Sequence, residues 1–339
     1  MRRRRLPGIA GAGVILAVGA ASIAALAVQV RSGPAAPAAA VKANAPRYGL
    51  ASAGLGYPFA AAIAKGFADA AREAGAQAVV LDARGDIQKQ ANDVQDLIVQ
   101  RVEGIAIMPL DAVVAQGWVN RAGAAGVPIA AVAAQVGDPR ARAIHDVYPG
   151  LVALATQDEV TAGEAAGRLA ATLLPKGRQS RIAIIEGAAG FPEVEQRARG
   201  FRQALDAAGA DYRIVASQPG NWTSDKGEAA CQNILSAQPD VDLFFNEADD
   251  MLIGCARAVR AAGSKARLVG LGGSKLAVAS IKAGAVDGTV CFKPEALGAL
   301  IFAALRARAE GGDRRERRFL TYPLPAVTRA TVGQCVGQW

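Results

Sequence analysis

From Arg47 onward, the chain alternates short apolar segments with longer amphipathic segments, and this alternation constrains its fold more than any other feature. In the first unit, the apolar segment Arg47–Ser52 is followed by a loop, the helical pattern Ala60–Ala74, Gly75 and a second apolar segment, Ala78–Asp82. Strands that are apolar along their whole length and separated by helices are typical of parallel sheets covered on both faces. The sequence therefore predicts an α/β fold.

The apolar segments fall into two series, which predicts two doubly wound domains. Many of the helical patterns between them end on a glycine, the residue that best tolerates the left-handed conformation of a helix C-cap. The first series is Arg47–Ser52, Ala78–Asp82, Gly104–Met108 and Pro128–Ala133. The second series is Arg181–Glu186, Tyr212–Ser217, Val241–Asn246, Leu268–Leu271 and Gly288–Phe292.

The first forty residues have the composition of an export signal. Arg2–Arg5 form a basic start, residues 6–30 carry no charge, and Ala38, Ala39 and Ala40 provide small residues for a cleavage site. This pattern predicts a signal peptide over residues 1–40, cleaved near Ala40, and a periplasmic mature protein. An uncleaved membrane anchor stays open, because the uncharged stretch is long enough to span about 30 Å of hydrocarbon.

The charge and composition of the remaining chain exclude several function classes. Of the 38 Lys and Arg residues, five lie at Arg2–Arg5 and Arg31, which leaves 33 against 30 Asp and Glu and a net charge of about +3. This balance gives no reason to expect nucleic acid as a partner. Since the chain has one His and no zinc-like Cys spacing, we expect no metal site and no cofactor.

Six short motifs, in this order and spacing, point to one family. They are Tyr57-Pro58-Phe59, Asn92–Leu97, Ile107–Asp111, Arg197–Phe201, Ala216–Pro219 and Asp249–Gly254. Over about Arg47 to Val332, the chain resembles the periplasmic substrate-binding proteins of ABC importers, in the ribose/galactose-binding (type I) class.

The resemblance implies two doubly wound parallel-sheet lobes joined by three hinge crossovers, with the ligand bound between the lobes. The implied first lobe is 46–155 plus 293–323, and the second is 156–292 plus 324–339. The crossovers are expected near Ala155–Gln157, Phe292–Pro294 and Pro323–Ala326.

The resemblance also implies an exported receptor that captures a small organic ligand and delivers it to an ABC permease in the inner membrane, acting as a monomer. A periplasmic sensor that feeds a chemoreceptor or sensor kinase is the alternative. An enzyme is not expected, because the sequence shows no nucleophile and base pair. The carboxylates Glu247, Asp249 and Asp250 are more simply explained by helix capping by Asp249 and one cleft contact.

Several positions depart from the pattern of the sugar-binding relatives. Where those proteins carry polar residues that contact a pyranose, this chain has Ala133, Ala134, Glu195, Ala248, Gly272 and Phe292. Buried hydroxyl groups left without a hydrogen-bond partner cost about 1–3 kcal/mol each. We therefore expect a sugar-like or less polar ligand, and weak binding of ribose and glucose.

Ligands of open α/β sheets bind beyond the carboxyl ends of the strands, and this rule selects the candidate ligand-binding residues. Trp222 is expected to be a principal contact, and Asp111 is equally explained as a helix N-cap. The insert Val136–Gly150, which holds His145, is a candidate cover for the cleft mouth. The full set is Tyr57, Phe59, Asp111, Gln135, Glu195, Trp222, Glu247, Asp249 and Phe292.

The four cysteines suggest disulfides in an exported protein. Cys231 and Cys255 lie on predicted helices that flank the strand Val241–Asn246. Right-handed crossovers place such helices side by side on one face of the sheet, so these two cysteines are expected to form a disulfide, with two separately buried thiols as the alternative. Cys291 with Cys335 is a weaker candidate that rests on nearness to the hinge.

Overall fold

The structure is a computed structural model that describes residues 45–312 and 318–339. The predicted signal peptide and its cleavage site lie outside the described residues. The strands are β1 (Arg47–Ser52), β2 (Gln77–Asp82), β3 (Gly104–Ile107), β4 (Ile129–Val132), β5 (Leu151–Ala155), β6 (Ser180–Glu186), β7 (Tyr212–Pro219), β8 (Leu243–Asn246), β9 (Arg267–Gly272), β10 (Gly288–Cys291), β11 (Arg318–Leu320) and β12 (Ala326–Thr328). The helices are α1 (Pro58–Glu73), α2 (Ile87–Val99), α3 (Ala115–Ala124), α4 (Glu159–Leu173), α5 (Pro192–Ala207), α6 (Ser224–Ala237), α7 (Asp249–Ala261), α8 (Lys275–Ala283) and α9 (Pro294–Ala309).

The first sheet has the strand order β11-β5-β4-β3-β1-β2, and all its pairs are parallel. Alternate residues of its strands point to opposite faces, so Leu50 packs with α1 and α9 while Ala51 packs with α2 and α3. Helices on both faces bury this sheet, which explains why its strands are apolar throughout. We call this sheet and its four helices the first lobe.

The second sheet has the order β12-β10-β9-β8-β6-β7. It is parallel except for β12, which pairs antiparallel with β10 at one edge. Helices α4 and α5 cover one face, and α6, α7 and α8 cover the other. This sheet and its five helices are the second lobe, and the predicted α/β fold of two doubly wound lobes is confirmed.

The chain passes between the two sheets three times, from β5 to α4, from β10 to α9 and from β11 to β12. Three connections side by side suit a hinge between two rigid bodies. The exact lobe boundaries stay a prediction.

Three strands were absent from the sequence-based prediction, namely β5, β11 and β12. Strand β5 is a five-residue apolar segment directly after the insert, and β11 and β12 have three residues each at sheet edges. Segments this short carry too few residues for an alternation pattern to distinguish them from a loop.

Two disulfides are present. Cys231 on α6 and Cys255 on α7 have Cα atoms 5.3 Å apart, and Cys291 at the end of β10 and Cys335 have Cα atoms 5.8 Å apart. The first joins two neighbouring helices of the second lobe, and the second attaches residues 335–339 to the end of a strand. Across residues 45–312 and 318–339, no helix has both the length and the apolar character to cross a membrane.

Candidate functional site

A cavity lies where the carboxyl ends of the strands in both sheets meet. It encloses about 750 Å³ of space free of protein atoms, with the open solvent at its mouth included. The first lobe contributes residues that follow β1, β3 and β4. The second lobe contributes residues that follow β6, β7 and β8 and the last two residues of β9. The lining residues are Ala53, Tyr57, Pro58, Phe59, Ala60, Met108, Ala133, Gln157, Phe191, Glu193, Arg197, Trp222, Ala248, Asp249, Asp250, Leu271, Gly272, Phe292 and Trp339.

Aromatic rings form much of the cavity wall. The ring centroid of Phe59 lies 6.3 Å from that of Phe292 and 5.4 Å from that of Trp339, with both pairs edge to face. Phe59 belongs to the first lobe, whereas Phe292 lies in the crossover that follows β10. The rings of Phe59, Phe292 and Trp339 therefore pack against one another in the cavity wall.

Trp222 is held firmly in the loop between β7 and α6. Its backbone is in the left-handed region at φ 63°, a conformation that costs free energy for a non-glycine residue and that concentrates at functional sites. Its ring packs edge to face on Phe191 at 5.7 Å. It also occupies the space that a side chain at Gly187 would fill. The ring is thus fixed before any ligand arrives.

A buried arginine organises the charged side of the cavity. The Arg197 Nε donates to a carboxylate oxygen of Glu159 at 2.6 Å, and its Nη1 donates to the Glu247 carbonyl at 2.7 Å. Its guanidinium lies 5.5 Å from the ring centroids of both Trp222 and Phe292. Paired charges and ring contacts together compensate the arginine for its lost hydration.

Three buried carboxyl groups of the second lobe, Glu193, Glu247 and Asp249, have a raised pKa. Burial raises the pKa of Glu193 to about 7, against the opposing attraction of Arg197. Burial also raises the pKa of Asp249 to about 6 and that of Glu247 well above its usual value. Near neutral pH, Glu193 can therefore donate a hydrogen bond as well as accept one.

Four buried polar atoms of lining residues have no hydrogen-bond partner within the described ranges. They are Gln157 Nε2, Glu193 Oε2, Trp222 Nε1 and Trp339 Nε1. Buried polar groups in native proteins are nearly always paired, because leaving one unpaired costs about 1–3 kcal/mol. All four belong to lining residues, so a bound ligand is a natural partner for them.

Five of the nine candidate residues line the cavity, namely Tyr57, Phe59, Trp222, Asp249 and Phe292. Asp111, Gln135, Glu195 and Glu247 are not among the lining residues, and the ligand roles of all nine stay predictions. Glu247 is fully buried and accepts the Gly187 N–H at 2.8 Å.

Two local interpretations from the sequence need correction. Asp111 accepts the N–H groups of Val113 and Val114, but α3 begins only at Ala115, so Asp111 stabilises the turn before the helix. Asp249 does not cap α7, because its carboxylate is engaged elsewhere: it accepts the Ser274 N–H at 2.8 Å and the Thr289 hydroxyl at 2.7 Å.

The insert makes polar contacts with the second lobe as well as with the first. Arg140 Nη2 lies 2.9 Å from a carboxylate oxygen of Glu195 on α5, and His145 Nε2 lies 2.9 Å from a carboxylate oxygen of Asp158, the N-cap of α4. We call these two pairs the insert latch. Gln135, just before the insert, accepts a hydrogen bond from Gln196 on α5. These polar contacts therefore bridge the lobes.

Several lining residues were not among the candidates, namely Gln157, Phe191, Glu193, Arg197 and Trp339. Phe191 and Glu193 lie where a helix begins with Pro192, a signal that locates the loop but not its burial. Trp339 follows the last strand by eleven residues, and no pattern in the sequence connects it with the cleft.

Of the six positions that depart from the sugar-binding pattern, four lie in the site, and Ala134 and Glu195 do not line the cavity. Ala133, Ala248, Gly272 and Phe292 all line the cavity. Their small or apolar side chains offer no side-chain hydrogen bond to a ligand. The polar groups of this cavity come instead from other places in the chain.

Comparisons with known proteins agree with this architecture. Residues 48–313 match the family described as "Periplasmic binding protein domain". The chain is 29% identical over 281 residues to the ribose import binding protein RbsB of Bacillus subtilis (strain 168), covering 83% of this chain and 87% of that protein. It is 30% identical over 261 residues to the D-allose-binding periplasmic protein of Escherichia coli (strain K12), covering 75% and 82%.

Among solved structures, the chain is similar to an ABC transporter solute-binding protein from Mycobacterium smegmatis with bound glycerol. The TM-score is 0.77 at 28% identity, covering 87% of this chain and 98% of that one. The family match covers most of the chain, and these relatives bind solutes rather than transform them. The chain therefore belongs to the periplasmic binding protein family, and it is a solute-binding receptor of the ABC importer kind rather than an enzyme.

Proposed function

We propose that this receptor, exported and monomeric after cleavage near Ala40, captures a neutral, oxygen-bearing small molecule with an apolar face and delivers it to an ABC permease in the inner membrane. The observation that carries the ligand class is the set of four unpaired polar atoms in an aromatic cavity. Sugars and polyols with few hydroxyl groups, such as deoxy sugars, have this chemistry.

The unpaired atoms favour acceptor oxygens on the ligand. The Nε1 groups of Trp222 and Trp339 and the amide nitrogen of Gln157 can only donate. An ammonium ligand also only donates, so it would leave these three groups unpaired. A hydroxyl or ring oxygen accepts from them, and its own proton can go to the Glu193 carboxylate.

The charges of the cavity disfavour an anionic ligand. Glu193, Asp249 and Asp250 line it, and the only lining cation in the described ranges, Arg197, already binds Glu159 and the carbonyl of Glu247. An anion would have to displace these contacts in a site that water does not screen. A neutral ligand meets no such penalty.

The rings and the hinge provide the mechanism of capture. A ligand whose apolar face lies against Trp222 on the second lobe and Phe59 on the first is buried only when the lobes are together. Ligand binding therefore shifts the population toward the closed form by its differential affinity. Three interlobe crossovers allow this motion without disturbing either sheet.

Binding is tested by thermal shift and calorimetry on the mature protein. The panel is 2-deoxy-D-ribose, L-fucose, glycerol, xylitol, myo-inositol, D-allose and D-ribose, with choline and acetate as charged controls. We expect the less hydroxylated compounds to bind more tightly than D-ribose. A compound at a hundred times its Kd raises the free energy of unfolding by about 2.7 kcal/mol.

Two results would contradict the proposal. Tight binding of choline or acetate would show that the cavity selects a charged ligand. If none of the neutral compounds binds, the ligand belongs to another class. A sensor role is not favoured, since the matching relatives include an import binding protein.

A further inference from the structure

The last five residues of the sequence, 335–339, form a strap that contacts both lobes. Cys335 is joined to Cys291 at the end of β10. On the second lobe, the Lys275 N–H at the start of α8 donates to the Trp339 carbonyl at 2.8 Å. On the first lobe, the Glu295 N–H in α9 donates to Gln338 Oε1 at 3.0 Å. The strap thus lies across the cleft beside the hinge.

The strap ends with an indole ring in the cavity wall. Trp339 lies 5.4 Å from Phe59, measured between ring centroids. Its Cζ2 atom lies 3.1 Å from the place where a Cβ at Gly272 would be. A side chain at position 272 would therefore crowd the indole, and the glycine makes room for it. The ring fills space that the end of β9 leaves open.

The indole nitrogen points to a role beyond packing. Trp339 Nε1 is buried and has no hydrogen-bond partner within residues 45–312 and 318–339. A ring that served only to fill space would need no N–H group, and burying such a group without a partner costs free energy. Trp339 is a lining residue of the cavity, so a ligand bound there is a candidate partner for this N–H group.

We propose that Trp339 is a ligand-binding residue whose indole N–H donates to an oxygen of the ligand, and that the Cys291–Cys335 disulfide holds it in the cavity. This inference rests on the proposed function, because it requires the same neutral, oxygen-bearing ligand. Cys291 immediately precedes the lining residue Phe292, so the disulfide ties the strap to the cavity wall itself.

The first test compares the loss of the N–H group and part of the ring with the loss of the whole ring. The seven neutral panel compounds are titrated calorimetrically into wild type, Trp339→Phe and Trp339→Ala. For each compound that binds wild type, we expect affinity to fall about tenfold in Trp339→Phe, which loses the N–H group together with part of the indole ring. We expect affinity to fall about thirtyfold or more in Trp339→Ala, which loses the whole ring.

The control for the strap is Val336→Ala, since Val336 is 77% exposed and does not line the cavity. We expect its affinities to stay within about twofold of wild type. Wild-type affinity in Trp339→Phe would overturn the hydrogen bond, and wild-type affinity in Trp339→Ala would overturn the whole proposal.

The second test compares the two disulfides. The double variant Cys291→Ser with Cys335→Ser frees the strap, whereas Cys231→Ser with Cys255→Ser frees only α6 from α7. Both are expected to lower the melting temperature, because each removes a crosslink. Only the first is expected to weaken ligand binding, by about fivefold or more. Equal affinity in the two double variants would show that the disulfide does not position Trp339.

Tryptophan fluorescence tests ligand contact directly, because a purely structural role of Trp339 would leave its emission unchanged on ligand binding. In Trp222→Phe, the remaining tryptophans are Trp339 and Trp118, and Trp118 is 1% exposed in the core of the first lobe. We expect a bound panel compound to change the emission of this variant, and Trp222→Phe with Trp339→Phe to show no change. An unchanged emission on binding would overturn ligand contact at Trp339.

The outcomes distinguish the inference from the function on which it rests. If wild type binds a panel compound and the Trp339 variants bind it equally well, the inference alone is wrong. If wild type binds none of the seven compounds, the proposed function is wrong and the inference falls with it.

Discussion

The two walls of the cavity have the same architecture and different chemistry. The wall from the first lobe consists of Ala53, Tyr57, Pro58, Phe59, Ala60, Met108 and Ala133, none of which carries a charge at neutral pH. The wall from the second lobe includes Glu193, Arg197, Asp249 and Asp250. Both walls follow the carboxyl ends of parallel strands, so this fold dictates where a ligand binds but not how it is bound.

This difference assigns distinct tasks to the two walls. The first-lobe wall offers shape and apolar contact, and a substitution there should change ligand affinity with little effect on folding. The second-lobe wall contains buried charges that are stable only while they are paired. A substitution there should change the stability of the protein itself, and its effect should depend on pH.

The largest expected effect is on the free energy of unfolding, when the buried guanidinium of Arg197 is removed. Arg197→Met leaves the Glu159 carboxylate buried without its partner, which typically costs about 3–5 kcal/mol of unfolding free energy. Arg199→Met, two residues along on the same helix, is the matched control because Arg199 is exposed. Urea unfolding measures the free energy of unfolding of both variants. Equal stabilities would show that the charged cluster does not hold the second-lobe wall together.

The uncharged wall was largely predictable from the sequence. Tyr57 and Phe59 follow the first predicted strand and open the next helix, so the strand-end rule alone selects them. On the second-lobe wall, Trp222 was predicted in the same way, from a loop marked by Pro219 and Gly220. Each of these signals is local, and sequence patterns report local structure well.

The charged cluster was not predictable in the same way. Glu159 and Arg197 are 38 positions apart and lie on different helices that pack together. No periodicity shows that a glutamate in the first turn of a helix is fully buried rather than solvated. Glu195 and Glu193 illustrate this, since both precede Arg197 on α5 but only Glu193 is buried.

The second expected effect concerns pH. The pKa of Glu193 is raised to about 7 by burial, against 4.5 for an ordinary glutamate, so the folded state binds this proton more tightly than the unfolded chain. The free energy of unfolding should therefore fall as the pH rises from 4.5 to 7. One such group contributes at most about 1.4 kcal/mol per pH unit.

Glu193→Gln should remove this contribution, while Asp249, whose pKa is about 6, retains its own. Glu195→Gln is the control, because Glu195 is exposed and should leave the pH dependence unchanged. Urea unfolding at several pH values between 4.5 and 7.5 measures the slope. A wild-type slope in Glu193→Gln would mean that this carboxyl is already ionised in the folded protein.

The third expected effect compares single rings from the two walls. Trp222→Ala removes a ring and an unpaired N–H, and losing a central aromatic contact typically costs about 2 kcal/mol or more, which is about thirtyfold in affinity. Phe59→Ala removes a ring alone, so its affinity should fall less. Trp222→Phe should lie between the two. Calorimetry with the neutral panel measures the affinities of the three variants. A larger loss of affinity in Phe59→Ala than in Trp222→Ala would place the main ligand contact on the uncharged wall.

The smallest expected effect is at the insert latch, where the first lobe meets the charges of the second. The Arg140 and Glu195 side chains are 77% and 58% exposed, and exposed ion pairs contribute little. Glu195→Ala should weaken the contact between the lobes and lower ligand affinity by no more than about fivefold. In about 0.5 M salt, where such charges are screened, the variant and the wild type should bind alike.

Glu164→Ala is the matched control, because Glu164 pairs with Arg168 within α4 and does not bridge the lobes. Its ligand affinity should equal that of wild type at every salt concentration. A loss above about tenfold in Glu195→Ala that persists in high salt would exceed what an exposed ion pair supplies. Glu195 would then have to contact the ligand directly, as the sequence predicted. In that case the charged wall would extend to the mouth of the cleft, and the insert would shield a binding residue rather than join the lobes.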